Sequence, residues 1–248
     1  GNPPGQRDLH APKQKDFPAI DLVADHSELR GRSLGRLEVV AENVGRGDTR
    51  EWQLEKLGLT MPEASFTAKG VWGHAGRSEN TKLDFNLESS DVGALLDRFG
   101  VVKTVKNGTT KLSGNVGWNG GPTSIDFASM AGQLRLEADK GQFLKADPGV
   151  AKLLGLLSLQ SLPRRFLLDF SDVFEKGFAF DTIRVDATVA QGVASTDDFK
   201  MMGALATVRM SGSADLEHET ANLHVLVLPE ISAGAASLGV ALVNPAIG

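Results

Sequence analysis

Gly31-Arg32-Ser33-Leu34-Gly35 has the G-x-S-x-G spacing that, in hydrolases, lifts a nucleophilic serine onto a sharp turn between a buried strand and a helix. The context here is different. The preceding HSELR is polar and the following RLEVVAE alternates as a strand does, so the two glycines read as turn residues and Ser33 as an ordinary hydroxyl. The histidines are His10, His26, His74, His218 and His224, and none forms the i, i+4 pair that grips zinc on a helix. His218 and His224 share a parity but read as lying on opposite sides of a turn. Asp169 and Asp172 sit beside Phe170, Val173 and Phe174, where carboxylates cap a short helix or pair with an arginine. No glycine-rich phosphate loop is present, and the absence of cysteine excludes thiolate nucleophiles, disulfides and Cys-based zinc sites. The expectation is a protein without catalytic residues, metal or cofactor.

The remaining polar candidates are the adjacent Arg164 and Arg165, which suit either a lipid phosphate or an ion pair with Asp169 or Asp172. Trp52, Trp72 and Trp118 each lie in or beside a strand and read as packing residues. A formal charge of −5 and the lack of a basic stripe argue against nucleic acid.

The elements that would carry these residues are mostly strands. Period-two alternation runs through Leu37–Ala41, Lys82–Leu87, Lys111–Trp118, Gln133–Ala138, Ile183–Val189, Ala206–Met210 and Leu223–Val227. The 28 glycines fall at the turn spacing of an antiparallel β chain. Asn107-Gly108 and Asn119-Gly120-Gly121-Pro122 predict hairpin turns, as do Asp139-Lys140-Gly141 and Gln191-Gly192. The alternation slips at Glu55-Lys56 and at Asp181-Thr182, predicting β-bulges there. One helix is expected over Asp91–Gly100, with Asp91 as its N-cap and Val92, Leu95, Leu96 and Phe99 on one face. A second begins at Asp147 with Pro148 in its first turn and carries Val150, Leu153, Leu154 and Leu157 as a stripe up to Pro163. Its uncharged run, Leu153 to Pro163, is too short to span a bilayer, which takes about 20 residues.

Two short helices cannot cover the apolar face of so many strands. The sheet either closes on itself as a sandwich or barrel, or leaves part of that face for a ligand.

The block PGVAKLLGLLSLQSLPRRFLLDFSDVFEKGFAFD, Pro148–Asp181, resembles the C-terminal part of the YhdP-type members of the AsmA-like family of Gram-negative bacteria. STDDFKMMG, SGSADLEHET, LPEISAGAASLGVALVNPAIG and the earlier WGHAGRSENTKLDFNLESSDVGALLDRFG are similar to the same region, so the likeness runs from about Asp16 to Gly248. The resemblance implies a mainly β fold: a long curved antiparallel sheet forming an open groove or trough, with two short helices. It implies one domain over 17–248 with a Leu-rich helical insertion at 147–175, while residues 1–16, polar, proline-bearing and aperiodic, read as a disordered or tag-derived lead-in. It further implies the end module of a longer, inner-membrane-anchored chain that crosses the periplasm and shelters phospholipid acyl chains on their way to the outer membrane, without catalysis. Both ends of the chain read as cut from something longer, in keeping with this. The alternative is a closed β-domain that acts as a scaffold or docking module in envelope assembly.

On this reading the candidate groove-lining residues are Leu83, Phe85, Leu87, Leu112, Val116, Leu134, Leu136, Ile183, Val185, Val189, Val208, Met210, Leu223, Val225 and Val227. Val150, Leu153, Leu154 and Leu157 are candidates for a plug or membrane-facing element, and Arg164 and Arg165 for headgroup contact. The expected partners are phospholipid and, at one end, the outer membrane.

Overall fold

The computed structural model describes residues 17–29, 31–45, 50–75, 78–144, 177–218 and 220–230. Eleven strands form a single sheet whose spatial order is their chain order: β1 (Ile20–Leu29), β2 (Arg32–Val44), β3 (Glu51–Thr60), β4 (Ala64–Ala75), β5 (Ser78–Ser89), β6 (Val105–Asn119), β7 (Ala131–Phe143), β8 (Phe178–Ala190), β9 (Val193–Met202), β10 (Ala206–Asp215) and β11 (Thr220–Pro229). Every neighbouring pair is antiparallel. β1 and β11 do not pair, so the sheet is open and the closed sandwich is set aside. The predicted Leu-rich helix and the segments at both ends lie outside the described residues.

Among the described residues the one helix is α1 (Val92–Arg98), between β5 and β6. Its start follows from Asp91, whose carboxylate accepts the Ala94 N–H at 3.0 Å, and Gly100 follows its end at φ +86°. Val92 and Leu96 pack on a core of Val105, Ala138, Phe178, Phe180, Ile183, Met201, Ala206 and Val208. Leu95 joins a second cluster with Met61 and Ala64. Among the described residues this helix covers one end of the apolar face.

Two predicted turns are corrected. Asn107-Gly108 lies inside β6 and Lys140 inside β7, with φ of +55°, +90° and +54°, so these residues bend continuing strands. Positive φ suits both a hairpin turn and a local bend, and only the pairing of the residues that follow separates the two. Gln191-Gly192, at φ +49° and +74°, does form the tight β8–β9 turn. The bulge at Glu55-Lys56 is present: Leu54 pairs Gly70 but Leu57 pairs Ala68. At Asp181-Thr182 there is none, since Thr182 and Phe180 keep register with Asp139 and Gly141. That slip in the pattern accompanies the bend at Lys140, where Phe180 lies against Gly141. A bulge does occur in β9, where Met210 pairs Phe199 but Gly212 pairs Thr196.

Gly93 sets how closely α1 approaches β6, since a Cβ there would come within 2.6 Å of the Val105 carbonyl oxygen. Alanine favours a helix over glycine by about 1 kcal/mol. Overpacking against backbone costs about 1–3 kcal/mol, so the clash outweighs the gain. Gly93→Ala is therefore expected to lower stability by about 1 kcal/mol in urea unfolding; a stabilised variant would show that α1 docks more loosely.

Candidate functional site

The feature that distinguishes this sheet is the sidedness set by its register. Residues directly opposed in an antiparallel pair share a face, so registers can be followed from strand to strand. One such row crosses all eleven strands as Ile20, Ala41, Leu54, Gly70, Leu83, Val116, Gly132, Val189, Ala194, Ala214 and Ala221, with no polar side chain. Two residues along, a second row runs Leu22, Val39, Leu57, Ala68, Phe85, Gly114, Leu134 and Ala187. A third runs Ala24, Leu37, Leu59, Phe66, Leu87, Leu112, Leu136 and Val185. Beyond the β9 bulge, Phe199, Met210 and Val225 stand opposite one another, and Gly212 faces Leu223. Ten spacings of about 4.8 Å make the full row about 48 Å long, against about 15 Å for the hydrocarbon of one lipid leaflet.

All fifteen residues read from the sequence as groove-lining stand on this face. They are not all equally free. Ile183 and Val208 are buried in the core under α1, Val225 and Val227 pack at its margin, and Leu87 packs against the second cluster. Val189 is buried as well. Leu83, Phe85, Leu112, Val116, Leu134, Leu136, Val185, Met210 and Leu223 stay half-buried. The sequence reading missed the contribution of β1 to β4, where Leu37, Val39, Leu57, Leu59 and Phe66 extend the same rows. The bulge at Glu55-Lys56 reverses parity within β3 and hides it from a strict alternation count. Val150, Leu153, Leu154, Leu157, Arg164 and Arg165 lie outside the described residues, as do Asp169 and Asp172.

The opposite face is charged and cross-linked by ion pairs. Arg135 and Asp186 are directly opposed on β7 and β8 and bond through two atoms each, at 2.6 and 3.1 Å. Those bonds hold the Asp186 carboxyl below the usual aspartate range. Arg184 reaches Asp139 at 2.6 Å, and Glu38 takes both Arg36 and Lys56. This face has a ready partner in water; the apolar face does not.

One largely buried polar pair serves the fold. Arg98, at the end of α1, bonds both carboxylate oxygens of Glu63 in the β3–β4 turn and donates to the Ser33 carbonyl at 3.0 Å. Ser33 lies in β2 after a turn glycine, in a strand–turn–strand setting unlike the strand–turn–helix of a nucleophile elbow. An open cleft of about 540 Å³ lies beside this pair, lined by residues such as Glu63, Ser89, Thr110, Lys111 and Asp139. Its lining mixes these polar and charged groups with Met61, Pro62 and Ala64, and it lacks the unbroken apolar rows of the sheet face. His26, His218 and His224 are exposed, and the described residues contain no cluster of three metal-ligating side chains.

An open antiparallel sheet with one face apolar from edge to edge defines a β-protein built around a continuous hydrocarbon-like surface. This chain belongs to the YhdP family: the family model described as "YhdP protein" matches residues 2–248. Over 184 residues, 74% of the chain, it is 33% identical to the Escherichia coli (strain K12) protein named "Intermembrane phospholipid transporter YhdP". The match covers 14% of that protein's length. No solved structure matches the chain. No helix among the described residues is long and apolar enough to cross a membrane.

The Arg98 hydrogen bonds lower the Glu63 pKa in the folded chain. Its contribution is therefore whole above the ordinary glutamate range, about pH 4–5, and is lost as pH falls through the lowered value. Glu63→Gln should cost about 1 kcal/mol at pH 7, with the gap to wild type closing under acid. A gap that stays constant from pH 7 to pH 3 in urea titrations would contradict this role.

Proposed function

We propose that this chain is the end module of a longer, inner-membrane-anchored protein that crosses the periplasm. In this reading it shelters phospholipid acyl chains on the apolar face of its open sheet as they pass between the inner and outer membranes. The observation that carries the reading is the unbroken apolar row across eleven strands, of which, among the described residues, one short helix covers a corner. Family membership and the printed name of the Escherichia coli relative supply the lipid class.

The physics favours such a surface. Each CH₂ group exposed to water costs about 0.8 kcal/mol, so a sixteen-carbon tail in water costs on the order of 10 kcal/mol. A row of Leu, Val, Phe and Ala offsets that cost at every position along the sheet. Dispersion and hydrophobic contact have no preferred direction, so a tail can shift from one strand to the next without breaking a specific bond. Such a path takes no catalytic residue, which is the role we assign: conduction, not chemistry.

Neighbouring residues on β7 give a matched test. Leu134 stands on the apolar face and Gln133 on the polar one, opposite Asn115 and Thr188. After incubation with phosphatidylethanolamine–phosphatidylglycerol vesicles and re-purification, wild type and Gln133→Glu should carry the same lipid. Leu134→Glu should carry about 100-fold less, the penalty of a charge amid hydrocarbon, while remaining folded by circular dichroism. Equal lipid on both variants, or none on wild type, would overturn the reading.

A further inference from the structure

Beyond the apolar rows, at one end of strands β2 to β6, the same face carries a different row: Asn43, Trp52, Trp72, Thr81 and Trp118, each opposed to the next. Trp72 and Trp118 follow Gly70 and Val116 of the first apolar row by two residues and Trp52 precedes Leu54 by two, so the three form its border. Two stretches of backbone lap over this border. From one side, Asn43 donates to the Phe17 carbonyl at 3.0 Å and Trp52 Nε1 to the Pro18 carbonyl at 3.0 Å. From the other, Thr81 donates to the Gly120 carbonyl at 2.8 Å and Trp118 Nε1 to the Gly121 carbonyl at 3.1 Å. Every polar side chain of the row is thereby satisfied except the middle one.

Trp72 lies between the two laps. The Phe17 ring meets it edge-on at 5.1 Å, and a Cβ on Gly121 would sit 3.8 Å from its Nε1. It is 7% exposed, and among the described residues its indole N–H has no acceptor. A buried N–H normally has a partner, and tryptophan favours positions where hydrocarbon gives way to polar groups. Phe17 and Gly121 close over the indole nitrogen, so an outside acceptor reaches this N–H only when one of the two laps lifts.

We propose that this border is where the polar end of a bound glycerophospholipid sits, with Trp72 Nε1 donating to the ester carbonyl of an acyl chain that lies on the apolar rows. The carbonyl is the first polar atom beyond the hydrocarbon, as Trp72 is the first row beyond Gly70 and Leu83. The row contains no lysine or arginine, so it matches a neutral carbonyl oxygen and not a phosphate. The inference rests on the acyl-chain reading above and adds an orientation to it: tails along the rows, headgroups leaving over the tryptophan border.

Ester and ether lipids separate the carbonyl from everything else, because a dialkyl ether phosphatidylethanolamine keeps the tails and phosphate and lacks the carbonyl. Loaded from vesicles of either lipid, wild type should retain the ester form about fivefold better, the worth of one neutral hydrogen bond. Trp72→Phe should lose that preference by a fall in ester lipid alone, with ether lipid unchanged. Trp118→Phe, whose N–H is already taken by Gly121, should keep it. A wild type that carries both lipids equally, or a Trp72→Phe variant that keeps the preference, overturns the inference and leaves the groove intact. A wild type that carries neither lipid overturns the groove reading instead.

Discussion

Strand pairing satisfies the backbone of this sheet but does nothing for its apolar side chains. Ladder bonds run in the plane of the sheet, and the faces are left to find their own partners. On one face, water and cross-strand ion pairs such as Arg135–Asp186 suffice. On the other, eleven strands present rows of Leu, Val, Phe, Ala and Gly, and the described part of the chain covers only the corner under α1. The rest of the molecule follows from that imbalance. Helix α1 is capped by Asp91 and tied down by Arg98 to Glu63 and Ser33, which fixes the covered corner. The bends at Asn107-Gly108 and Lys140 lie in the two strands next to it, where β6 to β8 gather around Phe178 and Phe180. Toward the other end of the strands no helix among the described residues lies over the face before it meets the tryptophans.

Consecutive hairpins give this arrangement its extendable character. Each strand pairs only with its neighbours in sequence, so strands can be added at either edge without disturbing the rows, and a path of any length results. The chain matches 14% of the length of the Escherichia coli relative. In that light the lack of polar side chains along the first apolar row fits the proposed role, since strong specific contacts at every strand would hold a lipid in place. The single polar contact proposed at Trp72 stands at the border of the path and is worth only one neutral hydrogen bond.

Sidedness was the most legible property of the sequence, because period-two alternation is local and needs no knowledge of strand order. Leu83, Phe85 and Leu87, or Leu134 and Leu136, declare their face within a few residues. The helix after β5 was equally plain from Asp91, the i, i+3, i+4 apolar set and Gly100. The sequence was less clear wherever the same local conformation serves two tertiary ends. Asn-Gly reads as a hairpin turn whether the chain folds back or bends and continues, and a slip in parity reads as a bulge whether its cause lies in that strand or in the one beside it. Nor could alternation alone show that the sheet stays open, since that depends on whether β1 meets β11. The tryptophan border was unreadable for a related reason. Trp52, Trp72 and Trp118 are spread over 67 positions, and only the register brings them into one row.

The most direct test of the central claim is photo-cross-linking from individual positions along β6 and β7 in living cells. A benzophenone amino acid at Leu112 or Leu134, on the apolar face, should capture phospholipid, whereas the same group at Ser113 or Gln133, one residue away on the polar face, should capture none. Lipid adducts of equal yield from both faces, or none from either, would contradict the account.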